Sequence, residues 1–306
     1  MKVKVVIGAN YGDEGKGMFT DYLVKRSEKP LVVRANGGCQ VGHTVIGSDG
    51  KRRIFSHLGS GTLQGCPTLY NKSSVVNPVL FFKEVDGRNT GIDYQVFVSP
   101  FAQVTTPYDM MLNCFLEDNR GNSRHGSTGL GFGATLARVE SGLTLPYNEL
   151  NKATLKDKLR AIRLWCAAQL PISHADQRQQ LFKDHIFEEF VNDCTYFANA
   201  TNRWLDDFYS KYDTLIFENG QGLLLDQDYG KFPYVTRSNT GFRNIGKVMK
   251  EKGWFGSVDT EVFYISRCYT TRHGAGPLKN ECDSLPEINF VDLTNVPNQY
   301  QSTIRL

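Results

Sequence analysis

The first apolar run of the chain, residues 3–7, is broken only by Lys4 and ends at Gly8, the pattern of a buried strand running into a loop. Further strand-like runs recur at 31–34, 94–99, 214–218 and 262–266. Helix-like segments lie between several of them, at 18–25, 78–85, 109–116 and 242–250. This alternation predicts an α/β fold with a mainly parallel central β-sheet flanked by helices. In such a fold the loops that follow the strands gather at their carboxyl ends, where ligands bind.

A second pattern occupies the middle of the chain. Residues 155–168 place Leu159, Ile162, Trp165 and Cys166 at helical spacing, and 175–204, rich in charge and aromatics, reads as one or two amphipathic helices. The charges there predict a solvated face. No internal repeat or low-complexity linker appears, so the expectation is a single domain over 1–306 with a helical insert, or subdomain, around 150–210.

Composition narrows the classes. A chain of 306 residues with 40% hydrophobic and 22% charged residues suits a globular protein with a large core. A net charge of +3 gives no argument for nucleic acid, although a mildly basic site for phosphorylated substrates accounts for it. No run of about 18 apolar residues predicts a membrane span. The opening strand leaves no room for a signal peptide. The seven cysteines are scattered without a Cys-x-x-Cys pair, which fits reduced thiols in a cytoplasm rather than disulfides or zinc.

The chemistry concentrates after the first strand. Residues 8–17 read Gly-Ala-Asn-Tyr-Gly-Asp-Glu-Gly-Lys-Gly. Such a loop, P-loop-like in placement, aims backbone N–H groups at a phosphate, and Lys16 adds a point charge. It departs from the Walker pattern, because Asn10 takes the first glycine position and Gly17 stands where a magnesium-binding hydroxyl belongs. Asp13 and Glu14 would repel a bare phosphate. They make sense if a metal ion bridges them to it, or if one does proton chemistry.

Residues 12–17, Gly-Asp-Glu-Gly-Lys-Gly, resemble the signature of adenylosuccinate synthetases. Residues 36–45, Asn-Gly-Gly-Cys-Gln-Val-Gly-His-Thr-Val, resemble that family's Gly-Gly-x-Asn-Ala-Gly-His-Thr segment. Residues 126–133 resemble its Gly-Thr-Thr-Gly-x-Gly-x-Gly loop. Two more blocks, 217–222 continuing to 232–240, and 271–277, follow in family order.

The resemblance implies a ligase that joins L-aspartate to C6 of a 6-oxopurine nucleoside monophosphate through a 6-phosphoryl intermediate, with hydrolysis of a nucleoside triphosphate. It implies Asp13 as the base, His43 as the catalytic histidine and Lys16 on the β/γ-phosphates. Gly12, Glu14, Gly15, Gly17, Gly42 and Thr44 complete the triphosphate site, and Mg2+ sits on the Asp13 carboxylate and the Gly42 carbonyl. Ser127, Thr128, Thr236 and Arg138 contact the purine nucleotide, the arginine reaching across a homodimer interface. Gln221 reads the purine edge. Gln40 stands where the family has Asn, keeping the amide on a longer arm. Thr303 and Arg305 resemble the family's aspartate-binding loop, without its further arginines.

Long bacterial relatives continue past this point with an element that reads the guanine of GTP, so the chain is either truncated or a short variant. The missing arginine run resembles the phage branch, which makes 2-amino-2′-deoxyadenylosuccinate from dGMP with ATP or dATP, and this is the favoured expectation. IMP with GTP is the alternative. An idle nucleotide-binding module would require loss of Asp13, His43 or Lys16, all of which remain. A P-loop kinase or GTPase is disfavoured by Gly17.

Overall fold

The computed structural model describes residues 1–88, 91–121, 124–282 and 304–306. Seven strands form the main sheet: β1 (Lys2–Gly8), β2 (Pro30–Arg34), β3 (Thr68–Tyr70), β4 (Val96–Val98), β5 (Asn202–Arg203), β6 (Thr214–Gly222) and β7 (Asp259–Ile265). Their order across the sheet is β7-β1-β6-β2-β3-β4-β5, and every neighbouring pair is parallel. β1 and β6 lie side by side in the middle, so the loops leaving them share one edge. The sequence pattern missed β3 and β5, which are too short to show a period.

The α-helices among the described residues are α1 (Lys16–Lys25), α2 (Pro78–Phe82), α3 (Pro107–Asn119), α4 (Phe132–Glu140), α5 (Leu155–Ala168), α6 (Ala175–Gln180), α7 (Asp184–Ala200) and α8 (Arg243–Glu251). The central strands are buried on both faces, which explains why they read as continuous apolar runs rather than alternating ones. Val3, Val5 and Ile7 pack with Ile245, Val248 and Met249 of α8, while Val6 packs with Leu23 and Val24 of α1 on the other face. A third cluster joins Tyr70, Val96 and Val98 of the sheet region to Leu159 and Ile162 of α5 and to Phe190 and Phe197 of α7, so the core of the helical insert is continuous with that of the sheet. Among the described residues no helix is long and apolar enough to cross a membrane.

α3 begins on a capping box. The Thr106 hydroxyl accepts from the Asp109 amide, and the Asp109 carboxylate accepts from the Thr106 amide, with Pro107 at the first helical position. The other oxygen of Asp109 takes Nε of Arg138 at 2.9 Å, and Asp109 Oδ2 takes Nη2 at 3.1 Å. Nη2 also donates to the Val104 carbonyl and Nη1 to that of Leu143, and both side chains are fully buried. Arg138 therefore joins α4 to the cap of α3 from inside the molecule. The expectation that it reaches a nucleotide across a dimer interface is corrected here, because its guanidinium is enclosed and its donors are engaged.

Removing one partner of such a pair leaves the other charge buried and unpaired. Arg138→Ala is expected to lower unfolding free energy by about 3–5 kcal/mol. Urea denaturation checks this; a loss below about 1 kcal/mol, the range of an exposed pair, would return Arg138 to the list of ligand-binding candidates.

Candidate active site

The loop between β1 and α1 is stapled from within by Glu14. Its Oε1 accepts from the amides of Asn10 (3.0 Å) and Gly12 (2.9 Å), and its Oε2 pairs with Nζ of Lys16 at 3.0 Å. Both side chains are buried. Glu14 thus shapes the loop and turns its charge inward, which corrects the expectation that it belongs to the phosphate-contacting set. It also resolves the repulsion that two carboxylates in a phosphate loop would cause. Gly15, with φ of 92°, precedes α1 and no side chain caps the helix, so first-turn amides stay available to an anion. Gly222 backs the loop so closely that a Cβ there would overlap Asn10 O and Gly12 N.

Asp13 sits at φ of 60°, a conformation unusual for a residue with a side chain and concentrated at functional sites. Its Oδ2 bonds Nε2 of His273 at 2.6 Å. Burial pushes the carboxyl up, but the His273 hydrogen bond and charge, with Lys16 and Arg267, outweigh it and hold Asp13 below its ordinary value. Among the described residues no group of three or more His, Cys, Asp or Glu could enclose a metal ion. An ionised Asp13 beside a ring of loop amides fits magnesium, which takes one or two carboxylates and fills its shell with phosphate oxygens and water. Gly42, the other expected ligand, is exposed just ahead of the hairpin formed by His43–Ile46 and Arg52–Phe55. The Thr44 hydroxyl on that hairpin accepts from Arg52 at 3.3 Å.

His43 stands behind the loop; a Cβ on Gly17 would lie 3.0 Å from the His43 Cβ. Its Nδ1 meets Oε1 of Glu218 at 2.6 Å. Glu218, on β6, is completely buried and is also bonded by the Ser60 hydroxyl and amide and by Arg34 from β2. The loop bearing Ser60 is itself pinned by Glu84, whose carboxylate accepts from the amides of Ser56, His57 and Leu58. Burial would raise Glu218, but His43, Arg34 and Ser60 together hold it down at about 2. Burial lowers His43 despite the attraction of Glu218, and Arg34 and Lys16 add to the lowering. A neutral imidazole with Nδ1–H donating to an ionised Glu218 satisfies both directions. His43 Nε2 is then a buried lone pair without a partner.

Beside this cluster opens a cavity of about 460 Å³ lined by Gln40, Ser127, Thr128, Gln221, Thr236 and Arg237, with Arg272 and His273 at one wall. The structure thus brings the expected nucleotide-contacting residues other than Arg138 onto one surface. The side-chain atoms of Gln40 and Oε1 of Gln221 are enclosed without partners. Gln221, like Asp13, has φ of 60°. The loop carrying Thr236 is held by Asp226, which accepts from the amides of Thr240 (2.6 Å) and Gly241 (3.2 Å).

The expected aspartate contacts fare differently. Thr303 lies outside the described residues. Arg305 is engaged within the chain: it pairs with Glu281 at 3.1 Å and donates to the carbonyls of Gly274 and Gly276, in a two-stranded ladder with Arg272–His273. It braces the loop that carries His273.

Sequence reasoning gave no role to Glu218, Ser60, Arg34 or His273. For Glu218 a signal existed: one carboxylate ending the apolar run Leu215-Ile216-Phe217 of a central strand must be paired if it is buried.

Residues 5–303 match a family profile described as Adenylosuccinate synthetase. The chain is 33% identical over 299 residues to the adenylosuccinate synthetase of Prochlorococcus marinus subsp. pastoris (strain MED4), covering 90% of this chain and 63% of that protein. It is 30% identical over 306 residues to that of Picrophilus torridus, covering 98% and 69%. The chain therefore spans less than two thirds of the length of the Prochlorococcus relative. Its fold is similar to a fully ligated adenylosuccinate synthetase from Plasmodium falciparum, with a TM-score of 0.73 at 22% identity over 93% of this chain and 66% of that one. It is also similar to the Cyanophage S-2L succinoaminodeoxyadenylate synthetase bound to dGMP and dATP, with a TM-score of 0.62 at 15% identity over 99% and 77%.

The site sets a direction for pH dependence. His43 is depressed below 6.5, so the unfolded chain takes up that proton first; the stability it contributes is present above pH 6.5 and lost as pH falls through the folded value. Glu218, depressed from 4.5 to about 2, acts in the same sense between those values. Denaturant midpoints should therefore fall as pH drops below about 6.5, and fall further below about 4.5. His43→Gln should flatten the upper part of that decline. A wild-type midpoint that rises on acidification between pH 6.5 and 5 would overturn the neutral assignment.

Proposed function

Because the chain belongs to the adenylosuccinate synthetase family, we propose that it is a cytoplasmic ligase that joins L-aspartate to C6 of a 6-oxopurine nucleoside monophosphate at the expense of a nucleoside triphosphate. One observation carries the reading. A phosphate loop holds an ionised carboxylate, Asp13, and is backed by a histidine whose outer nitrogen is bare and whose inner nitrogen is held by a buried glutamate. Simple phosphate binding requires neither group.

The chemistry needs both. The C6 oxygen is a poor leaving group and must first receive the γ-phosphoryl group. Asp13 takes the N1 proton, and electron density moves onto O6. O6 attacks the γ-phosphorus as the bond to the β-phosphate oxygen breaks. The aspartate amine then attacks C6 and gives up a proton as the C–N bond forms, the C6–O bond breaks, and inorganic phosphate leaves. The bare His43 Nε2 can take up a proton released in these steps, forming an imidazolium supported by Glu218, and pass it to a phosphoryl oxygen. Lys16 and the first-turn amides of α1 hold the triphosphate. Magnesium, when bound with the triphosphate at Asp13 and Gly42, neutralises phosphate charge.

The relatives at 30–33% identity favour IMP with GTP as the first reading, ahead of the dGMP expected from the sequence. A second reading, dGMP with ATP or dATP, is supported by the Cyanophage S-2L fold neighbour, which was solved with those nucleotides and spans 99% of this chain. A homodimer remains part of the proposal, without Arg138 as its bridge.

Incubation with IMP or dGMP, aspartate, magnesium and GTP or ATP is expected to yield a product heavier by the aspartyl adduct, detected by mass. Phosphate release without adduct would mark a hydrolase instead. Asp13→Asn and His43→Asn should keep the fold and each lose turnover by about 100-fold or more. A kcat/KM preference of about tenfold, or 1.4 kcal/mol, decides between IMP and dGMP.

A further inference from the structure

We propose that the 5′-phosphate of the purine nucleotide is held by the Arg237 guanidinium of the same chain that supplies Asp13 and His43. The inference rests on the function proposed above and goes further in replacing the bridging arginine that the sequence resemblance implied.

Arg138 is unavailable, being enclosed around Asp109. The cavity still calls for a cation: it holds Ser127, Thr128 and Thr236, whose hydroxyls are neutral, and a phosphate monoester is a dianion or close to it. Three arginines line it. Arg272 is 1% exposed and already spends its guanidinium on the carbonyls of Pro277, Tyr234 and Ala275. Arg120 is bound at 2.6 Å to Glu117, a carboxylate that is itself 1% exposed, so releasing it would strand a buried charge. Arg237 differs from both. It pairs at 2.5 Å with Glu140, whose side chain is 66% exposed, so the carboxylate can return to water when a phosphate takes its place.

Its position matches the role. Arg237 directly follows Thr236 on the loop pinned by Asp226. Its Cδ lies over Gly133, and its Nη1 is 3.3 Å from the Gly133 carbonyl. Gly133 is in the first turn of α4, which Gly131 precedes with φ of 79° and which has no side-chain cap. Phe132, Gly133 and Ala134 of that turn line the same cavity. A phosphate lodged there meets the uncapped first-turn amides, and the guanidinium reaches it by leaving Glu140, with the hydroxyls of the same cavity nearby. All of these come from one chain.

The test uses the intact protein, IMP and dGMP as probes, and calorimetric binding alongside steady-state kinetics. Arg237→Met should weaken monophosphate binding and raise its KM by about tenfold or more, with kcat changed by less than about threefold, since the phosphate is remote from C6. Arg237→Lys should recover part of the loss, keeping the charge without the fork. The loss in Arg237→Met should exceed that in Arg120→Met. Mixing Arg237→Met with inactive Asp13→Asn subunits should restore nothing, because no hybrid brings both residues into one site. An active wild type whose Arg237→Met variant binds monophosphate normally overturns the proposal and leaves the ligase reading standing. Recovery of the monophosphate KM on mixing overturns the same-chain placement. A wild type that neither binds monophosphate nor makes adduct removes the ligase reading itself, and this inference with it.

Discussion

A carboxylate with no access to water organises the part of the molecule around the glycine-rich loop. Glu218 lies in the central strand β6, and an ion there is tolerable only if its neighbours supply charge and hydrogen bonds. Arg34 comes from the adjacent strand β2, Ser60 from a loop pinned by Glu84, and His43 from the start of a hairpin. These elements are far apart in sequence and are drawn together by a single desolvated charge. Satisfying Glu218 also selects the tautomer and the direction of the His43 ring, leaving Nε2 buried without a partner.

Around that anchor the backbone is bent in places where function gains from it. Asp13 and Gln221 both occupy the left-handed region without being glycine. Each is flanked by parts that hold it there: Asp13 by the Glu14 staple and the His273 bond, Gln221 by the close approach of Gly222 to the phosphate loop. Such conformations cost of order 1–3 kcal/mol and persist where the surroundings over-determine them. The outcome is a loop whose inner carboxylate, Glu14, is spent on the loop itself, and whose neighbouring carboxylate, Asp13, is held by His273 instead.

The two arginines show how burial sorts chemically identical groups. Arg138 is fully enclosed and saturated by Asp109 and two carbonyls, so it contributes to the packing of α3 against α4. Arg237 faces a cavity and is held by a carboxylate that remains solvated, so it can exchange partners. Nothing in the two residue types distinguishes them; the depth at which the fold places each one does.

Several parts of this protein were legible in one dimension. The alternation of strand-like and helix-like segments announced a parallel sheet, because parallel neighbours need a crossover between them, and the apolar runs of β1, β2 and β6 marked buried strands. The helix Leu155–Ala168 followed from its apolar spacing. The glycine-rich loop with Asp13 and Lys16 was legible as a turn between strand and helix, because local backbone geometry is a local property. The short strands Thr68–Tyr70 and Asn202–Arg203 escaped, since two or three residues carry no period and their pairing is made by distant neighbours. Glu14 and Arg138 were misread for a related reason: sequence gives the charge but not the direction it faces. The partners of His43 and Asp13 come from residues 175 and 260 positions away. The sequence by itself determined the long, strongly patterned elements and the place of the glycine-rich loop after the first strand. Only the tertiary structure decided which carboxylates and guanidiniums are structural and which face a ligand, because desolvation and pairing are set by neighbours remote along the chain.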